Sequence, residues 1–498
     1  MRSSFIAIIF IGFGLSLQAQ CECEPDKKRD KLVSQAQDRK YELKERMEKL
    51  QEAIEMDEGC MEPRFLLAKM SYKRSSRSST LGFSTAEEQF AIIKGACPDY
   101  HAELYYYLGL IYNVEGRWSE AKKAFNDFIR FPLDDPSKLN KDHQEQLAEV
   151  EALLEEVEFN VELFENPVDF VPVRVNGVSA AGDEYLPTLS PDNETIFYTR
   201  KFNKKAKGDL YSRQVEEFTA SSRSTFEGDF DAGKALPAPF NLGDNYGGTS
   251  ISVNNKEMFV TVCRPDMKGY NNCDIYVSKY SKSVSPSTGK EELAWGELVN
   301  LGPQINSALW EAQPSLSADG NTLYFATLRE GNKPDASGDP SMDIYYSLRG
   351  LDGTWGKARS LGDVINTSGH EKSPFMHGDS RTLYFSSEGR RGAGGYDIYF
   401  TRMQEDGTWS NPKNIGIPIN TSEDEHGLIV STDGSEAYYA SNKIQGAQGY
   451  DIFRFEVPEK AKPEKVVLVR GEIRDEEGEI VRDAEVRLNF VESKRVER

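Results

Sequence analysis

Nine carboxylates recur at corresponding places in this 498-residue chain, and their type and spacing make them its first candidates for chemistry. Five open an Asp-hydrophobic-aromatic triplet: Asp209-Leu210-Tyr211, Asp274-Ile275-Tyr276, Asp343-Ile344-Tyr345, Asp397-Ile398-Tyr399 and Asp451-Ile452-Phe453. Four more, Glu184, Glu311, Glu371 and Glu425, stand ahead of short strand-like runs. With five histidines in the whole chain, these acids are the main reserve of general acids and bases. They also have partners close by, since Arg200, Lys201, Lys204, Lys205, Lys207, Arg264, Arg329, Arg390, Arg391 and Lys443 fall in the same loops. Acids that cap turns and pair with such cations hold a repeat together, and this is the preferred reading. The alternative is a face that binds protein or polysaccharide.

Lys201, Lys204, Lys205 and Lys207 crowd into seven residues with no acid among them. An unpaired basic loop suits the steering of an acidic partner, with effects that fade as salt rises. These four are the candidate partner-binding residues. The six cysteines include no Cys-x-x-Cys pair, and no histidine stands at ligand spacing, so neither a zinc site nor a cofactor is expected. Cys263 and Cys273 flank a strand-to-strand loop, where antiparallel neighbours bring Cα atoms within disulfide reach, and they form the candidate disulfide. The pairing of Cys21, Cys23, Cys60 and Cys97 is open.

The elements that position these groups follow from the repeat. The last three triplets are 54 residues apart, with longer gaps earlier. In the third copy Pro314–Ser317 reads as a strand, Ala318-Asp319-Gly320-Asn321 as a turn, and Thr322–Thr327 as a β-branched and aromatic strand. Asp343–Leu348 supplies a third strand and Trp355–Leu361 a fourth. Four antiparallel strands make one blade of a β-propeller, which protects its sheet edges by closing radially. The fifth copy stops after its third strand near Val457, while Phe170–Val175 precedes the first copy. The early segment therefore completes the last blade, giving five blades, with six as the alternative, over residues 168–458.

The rest of the chain is partitioned around that ring, making a multidomain α plus all-β protein. Residues 1–19 read as an export signal, with Arg2 ahead of the apolar run Phe5–Leu17, too short to span a bilayer. Cys21 is then a possible lipid anchor, although Gln20 before it is larger than such processing prefers. Export places the cysteines in an oxidising compartment. Residues 20–166 read as helices: Leu108, Gly109 and Tyr112, then Ala121, Phe125 and Pro132, match the tetratricopeptide pattern, and Lys138–Phe164 suits a capping helix. Residues 459–465 are rich in Lys, Pro and Glu and read as an extended, solvated linker. Residues 466–498 alternate like the opening of a carboxypeptidase-regulatory-like β-sandwich. The net charge of −21 argues against nucleic acid as a partner.

Signal, helical repeats, a propeller with the Ser-x-Asp-Gly, Leu-Tyr-Phe and Asp-Ile-Tyr pattern, and a sandwich segment, in this order, resemble the periplasmic OmpA-family proteins with TolB/WD-like propellers associated with type IX secretion. The resemblance implies a periplasmic, outer-membrane-associated, non-enzymatic scaffold whose partners are outer-membrane or secretion-complex proteins. It also implies a C-terminal domain that grips peptidoglycan. No stretch of these residues matches that domain, so wall binding is carried over to no residue here, and the gene product is expected to continue past Arg498. The runner-up is a glycan-binding or glycan-processing propeller. Asp352-Gly353-Thr354-Trp355 and Asp406-Gly407-Thr408-Trp409 imitate the end of a sialidase box but lack its leading serine, and each reads better as a hairpin turn with a packed Trp. No Gly-x-Ser-x-Gly nucleophile elbow occurs.

Overall fold

The computed structural model describes residues 21 and 23–497, apart from 79, 181, 205–210, 227, 243–244, 266–270, 285–290, 336, 468–472, 475–487 and 490–495. The export signal, Asp209, Lys205, Lys207 and most of the sandwich segment therefore lie outside the described residues. Two compact units divide between Asn166 and Pro167.

The first unit is helical. Its elements are α1 (Lys27–Gln37), α2 (Leu43–Met56), α3 (Met61–Ser75), α4 (Ser84–Ala96), α5 (Glu103–Val114), α6 (Trp118–Ile129) and α7 (His143–Phe164). Asp26 starts α1 by accepting the amides of Lys28 and Arg29, which water would otherwise have to satisfy. Each helix packs on the next in sequence. Gly109 shows why a small residue is needed between α5 and α6, since a Cβ there would lie 2.3 Å from the Phe125 ring. Phe90, Leu108, Ala121 and Phe125 are fully enclosed in one core, and Val150 and Val157 bring α7 into it. Two disulfides bind the leading segment to the helices, Cys21 to Cys97 and Cys23 to Cys60. A thioether lipid on Cys21 and the Cys21–Cys97 bond exclude each other, because both use the same sulfur.

The second unit is a five-bladed propeller. Blades 1 to 4 begin with inner strands Asp183–Leu189, Asn245–Ile251, Glu311–Leu316 and Glu371–Met376, and blade 5 with Ile429–Val430. Second strands such as Thr322–Thr327 and Thr382–Ser387 are buried on both faces, which is why their Leu-Tyr-Phe centres do not alternate with polar residues. Five clusters fill the five seams between blades. The ring closes through Val173 and Arg174, which pair with Arg454 and Phe453 as the outer strand of blade 5.

Three expectations need correction. The fourth strand of blade 3 is only Arg359–Ser360, because Trp355 bridges back to Arg349 and closes the Asp352 turn instead. The third strand of blade 1 is Arg213–Ser222, and Tyr211 ahead of it is 83% exposed, while Asp209 and Leu210 lie outside the described residues. Glu217 stands opposite Arg200 as Asp343 stands opposite Thr327, so Glu217-Phe218-Thr219 is the true first copy. Residues 459–465 are not a solvated linker. Glu459–Ala461 forms a short helix, Ala461 is fully buried, the Tyr384 hydroxyl donates to its carbonyl, and Arg402 donates to the carbonyls of Lys460 and Lys462.

Candidate functional site

The recurrent acids do come together on one face of the propeller, within each blade. Glu311, Thr327 and Asp343 form a single rung across the first three strands of blade 3, and Glu371, Ser387 and Asp397 repeat it in blade 4. The glutamates are buried and saturated with donors. Glu311 accepts from the amide and hydroxyl of Ser307, both at 2.7 Å, and from Thr327 Oγ1 at 2.6 Å. Glu371 accepts from Thr367 N and Oγ1 and from Ser387 Oγ, Glu425 from Thr421 N and Oγ1, and Glu184 from Ala180 N and Arg200 Nε. Burial raises Glu184, Glu371 and Glu425 above the usual carboxylate range, and their donors only partly offset it. Such groups hold a turn against a strand, each through two or three donors from its own blade.

The aspartates divide. Asp451 pairs with Arg174 at 2.8 Å, Asp274 accepts from Asn300, Asp397 accepts from the Ala393 amide and from Asn414, and Asp343 accepts from Ser341 at 2.8 Å. Burial raises Asp274 and Asp397, and pushes Asp343 up to about 6. With the folded value above the ordinary 3.8, Asp343 contributes stability that is full below about 3.8 and lost as pH rises through about 6. Asp343→Asn cannot ionise, and should raise Tm over the parent at pH 8 by about 2 °C or more beyond any rise at pH 4. Equal shifts at both pH values would show that another group carries the titration.

A second set of residues, not singled out by the sequence reading, finishes blades 1 to 4. Asn306 accepts the Ile275 amide and donates to the Ile275 carbonyl at 2.9 Å each, standing in for a missing piece of fourth strand. Asn366 does the same to Ile344, Asn420 to Ile398 and Asn241 to Phe218. The signal was legible as Ile-Asn-Ser/Thr followed four residues later by Glu, at 305–311, 365–371 and 419–425.

On the inner strands, Leu186, Gly248, Gln313, Ser373 and Gly427 occupy one equivalent position with φ between 53° and 72°. In blades 1 to 4 the register slips there, a bulge that turns the strand along the ring axis. The five line a central cavity of about 140 Å³ with Pro187, Pro314, Pro374, Phe375 and Leu428. Leu186 is a bulky side chain in a conformation that suits glycine, and the glycines beside it, Gly247 and Gly427, leave it room.

Among the predicted binding lysines, Lys204 stands opposite Arg213 but pairs with Glu217 of the same neighbouring strand at 2.9 Å, and is not free. Lys201 lies opposite Glu216, whose carboxylate accepts from the Tyr185 hydroxyl. Arg329 sits on Glu311 and on the Ile305 carbonyl, and Lys443 lies 3.5 Å from Glu423. Cys263 and Cys273 are directly opposed across blade 2 and bonded, with Cα atoms 4.0 Å apart.

No protein-family model and no curated protein matches this chain. Similar solved structures include TolB from Acinetobacter baumannii, 14% identical over 65% of this chain and 72% of that one, with a TM-score of 0.33. A thermostable family-43 glycoside hydrolase is 15% identical over 57% and 91%, TM-score 0.34. Trypanosoma rangeli sialidase in complex with the inhibitor DANA is 11% identical over 55% and 55%, TM-score 0.31. At these values the likeness carries no argument about activity, and the propeller is read from this chain's own sheets.

Proposed function

We propose that the chain is a non-enzymatic, exported interaction scaffold at the periplasmic side of the outer membrane, its helix pairs of tetratricopeptide type and its propeller both presenting surfaces to envelope proteins. The observation that carries this reading is how the ring spends its acids. Glu184, Glu311, Glu371 and Glu425 are consumed in holding turns to strands. The chain's extra length goes instead into display. The hairpins of blades 1 and 2 pair over ten and nine residues, against six in blades 3 and 4, and the second is stapled by Cys263–Cys273. Length beyond the ring adds nothing to its closure, and a staple near a hairpin end lowers the entropy lost on binding. Three disulfides support an exported location.

The test leaves Lys204 on Glu217 and changes Lys201, Lys205 and Lys207 to Glu. Tm should stay within about 2 °C of the parent. Envelope proteins captured by the parent from detergent extracts at low salt should be recovered at a third or less, with the difference vanishing at high salt. Equal recovery at low salt refutes the hairpin as the docking element. Turnover of sialosides or aryl glycosides by the purified chain refutes the scaffold and favours the glycan reading.

A further inference from the structure

The seam where the ring closes holds a group that the architecture does not explain. Arg223 follows the third strand of blade 1 and is 7% exposed. Its Nε donates to the Asn193 carbonyl at 2.7 Å, and its guanidinium carbon lies 4.8 Å and 4.6 Å from the ring centres of Phe226 and Phe230. Nη2 is buried with no hydrogen-bond partner among the described residues. An arginine is charged at every accessible pH, and burying it is costly unless an anion faces it. The two phenyl rings recover part of that cost but supply no negative charge.

Arg223 lines a cavity of about 30 Å³ with Arg174, Asn176, Asp229, Phe230 and Arg454. Arg174 gives Nη2 to Asp451 and to the Ala180 carbonyl, and its Nε is a second buried donor without a partner among the described residues. Arg454 pairs through Nη1 with Glu436. Asp229 is exposed at the rim, where it accepts from Asn176 at 3.4 Å. Arg223 and Arg454 thus line a space that holds about two water molecules, the size of an oxyanion head, while Arg174 reaches it from the closing strand with its Nη2 turned to Asp451. Guanidinium donors bind such heads through paired, charge-assisted hydrogen bonds.

We propose that this pocket binds a small oxyanion of carboxylate or phosphate type, held by Arg223 and Arg454 at the junction of blades 5 and 1. The anion supplies the counter-charge that Arg223 lacks among the described residues, at the seam between blade 1 and the closing strand Val173–Arg174. The test measures Tm of the full chain against inorganic phosphate, acetate and chloride at matched ionic strength. A saturable rise with phosphate alone, or with acetate as well, supports the site and tells the two anion types apart. Arg454→Gln removes a half-exposed cation that the fold tolerates, and should raise the midpoint concentration at least tenfold, while Lys413→Gln in blade 4 leaves it unchanged. A rise no larger than that with chloride, or an unchanged midpoint in Arg454→Gln, overturns the proposal.

Discussion

Deleting residues 169–175 opens the propeller. The segment supplies the outer strand of blade 5, with Val173 and Arg174 in register with Arg454 and Phe453, and the Val175 amide donating to the Ile452 carbonyl at 2.9 Å. Val175 also packs at 3% exposure in the seam core with Ile196, Tyr438 and Ile452. Without the segment, Asp451–Glu456 becomes a free edge next to a split seam. Asp451, fully buried, loses Arg174, and breaking such a pair costs about 3–5 kcal/mol, a large share of the roughly 5–15 kcal/mol that holds a domain folded. The truncated chain should elute as aggregate in size exclusion and be cut throughout residues 176–457 by low protease. A monomer with the parent's resistant core would show that the ring does not depend on this strand.

Reduction should dismantle the helical unit and spare the propeller. Cys21–Cys97 and Cys23–Cys60 close loops of 76 and 37 residues, and on the chain-entropy account each contributes about 4 kcal/mol. Together they match the stability of a typical small domain. Cys263–Cys273 closes only 10 residues, in a hairpin already fixed by its ladder, so its loss costs the ring less. With a phosphine reductant the 222 nm helical signal should melt at least about 15 °C lower, while the β-sheet transition moves by only a few degrees. Proteolysis in reductant should leave a fragment starting close to Pro167. Unchanged melting of both units would mean that the helices stand on their packing alone.

The propeller was readable because its repeat writes the same rung several times. Ser-x-Asp-Gly turns, apolar second strands and Asp-Ile-Tyr starts are local, and the missing fourth strand at Val457 could be matched to Phe170–Val175 by counting. What misled was also local. Asp209-Leu210-Tyr211 copies the triplet in letters, but the register is set by the interior: Phe218 occupies the seam at 2% exposure where Ile344 does in blade 3, and Glu217 takes the acid's place on the rung. The asparagine clasps were overlooked because the recurring Ile-Asn-Ser/Thr names no partner: its work is a hydrogen bond to a backbone some twenty to thirty residues back. Residues 459–465 are polar in composition yet packed, because backbone carbonyls, which composition does not register, meet Arg402 and Tyr384. The N-terminal cysteine pairs depend on which helices stack, a tertiary fact.

The strap at residues 459–465 also decides how the ring bears load. The chain enters and leaves the propeller side by side: the Val168 amide donates to the Ile417 carbonyl beyond blade 4, and Lys460, Ala461 and Lys462 are gripped by Arg402 and Tyr384 of blade 4. The closing strand and its partner run antiparallel, with Val173 beside Arg454, so a pull on both chain ends would peel their ladder one bond at a time, the weakest way to load a sheet. The two moorings on blade 4 lie outside that ladder and take tension before it does. A force passed along the chain thus crosses the lower edge of blade 4, and the seam that keeps the ring shut is shielded from it.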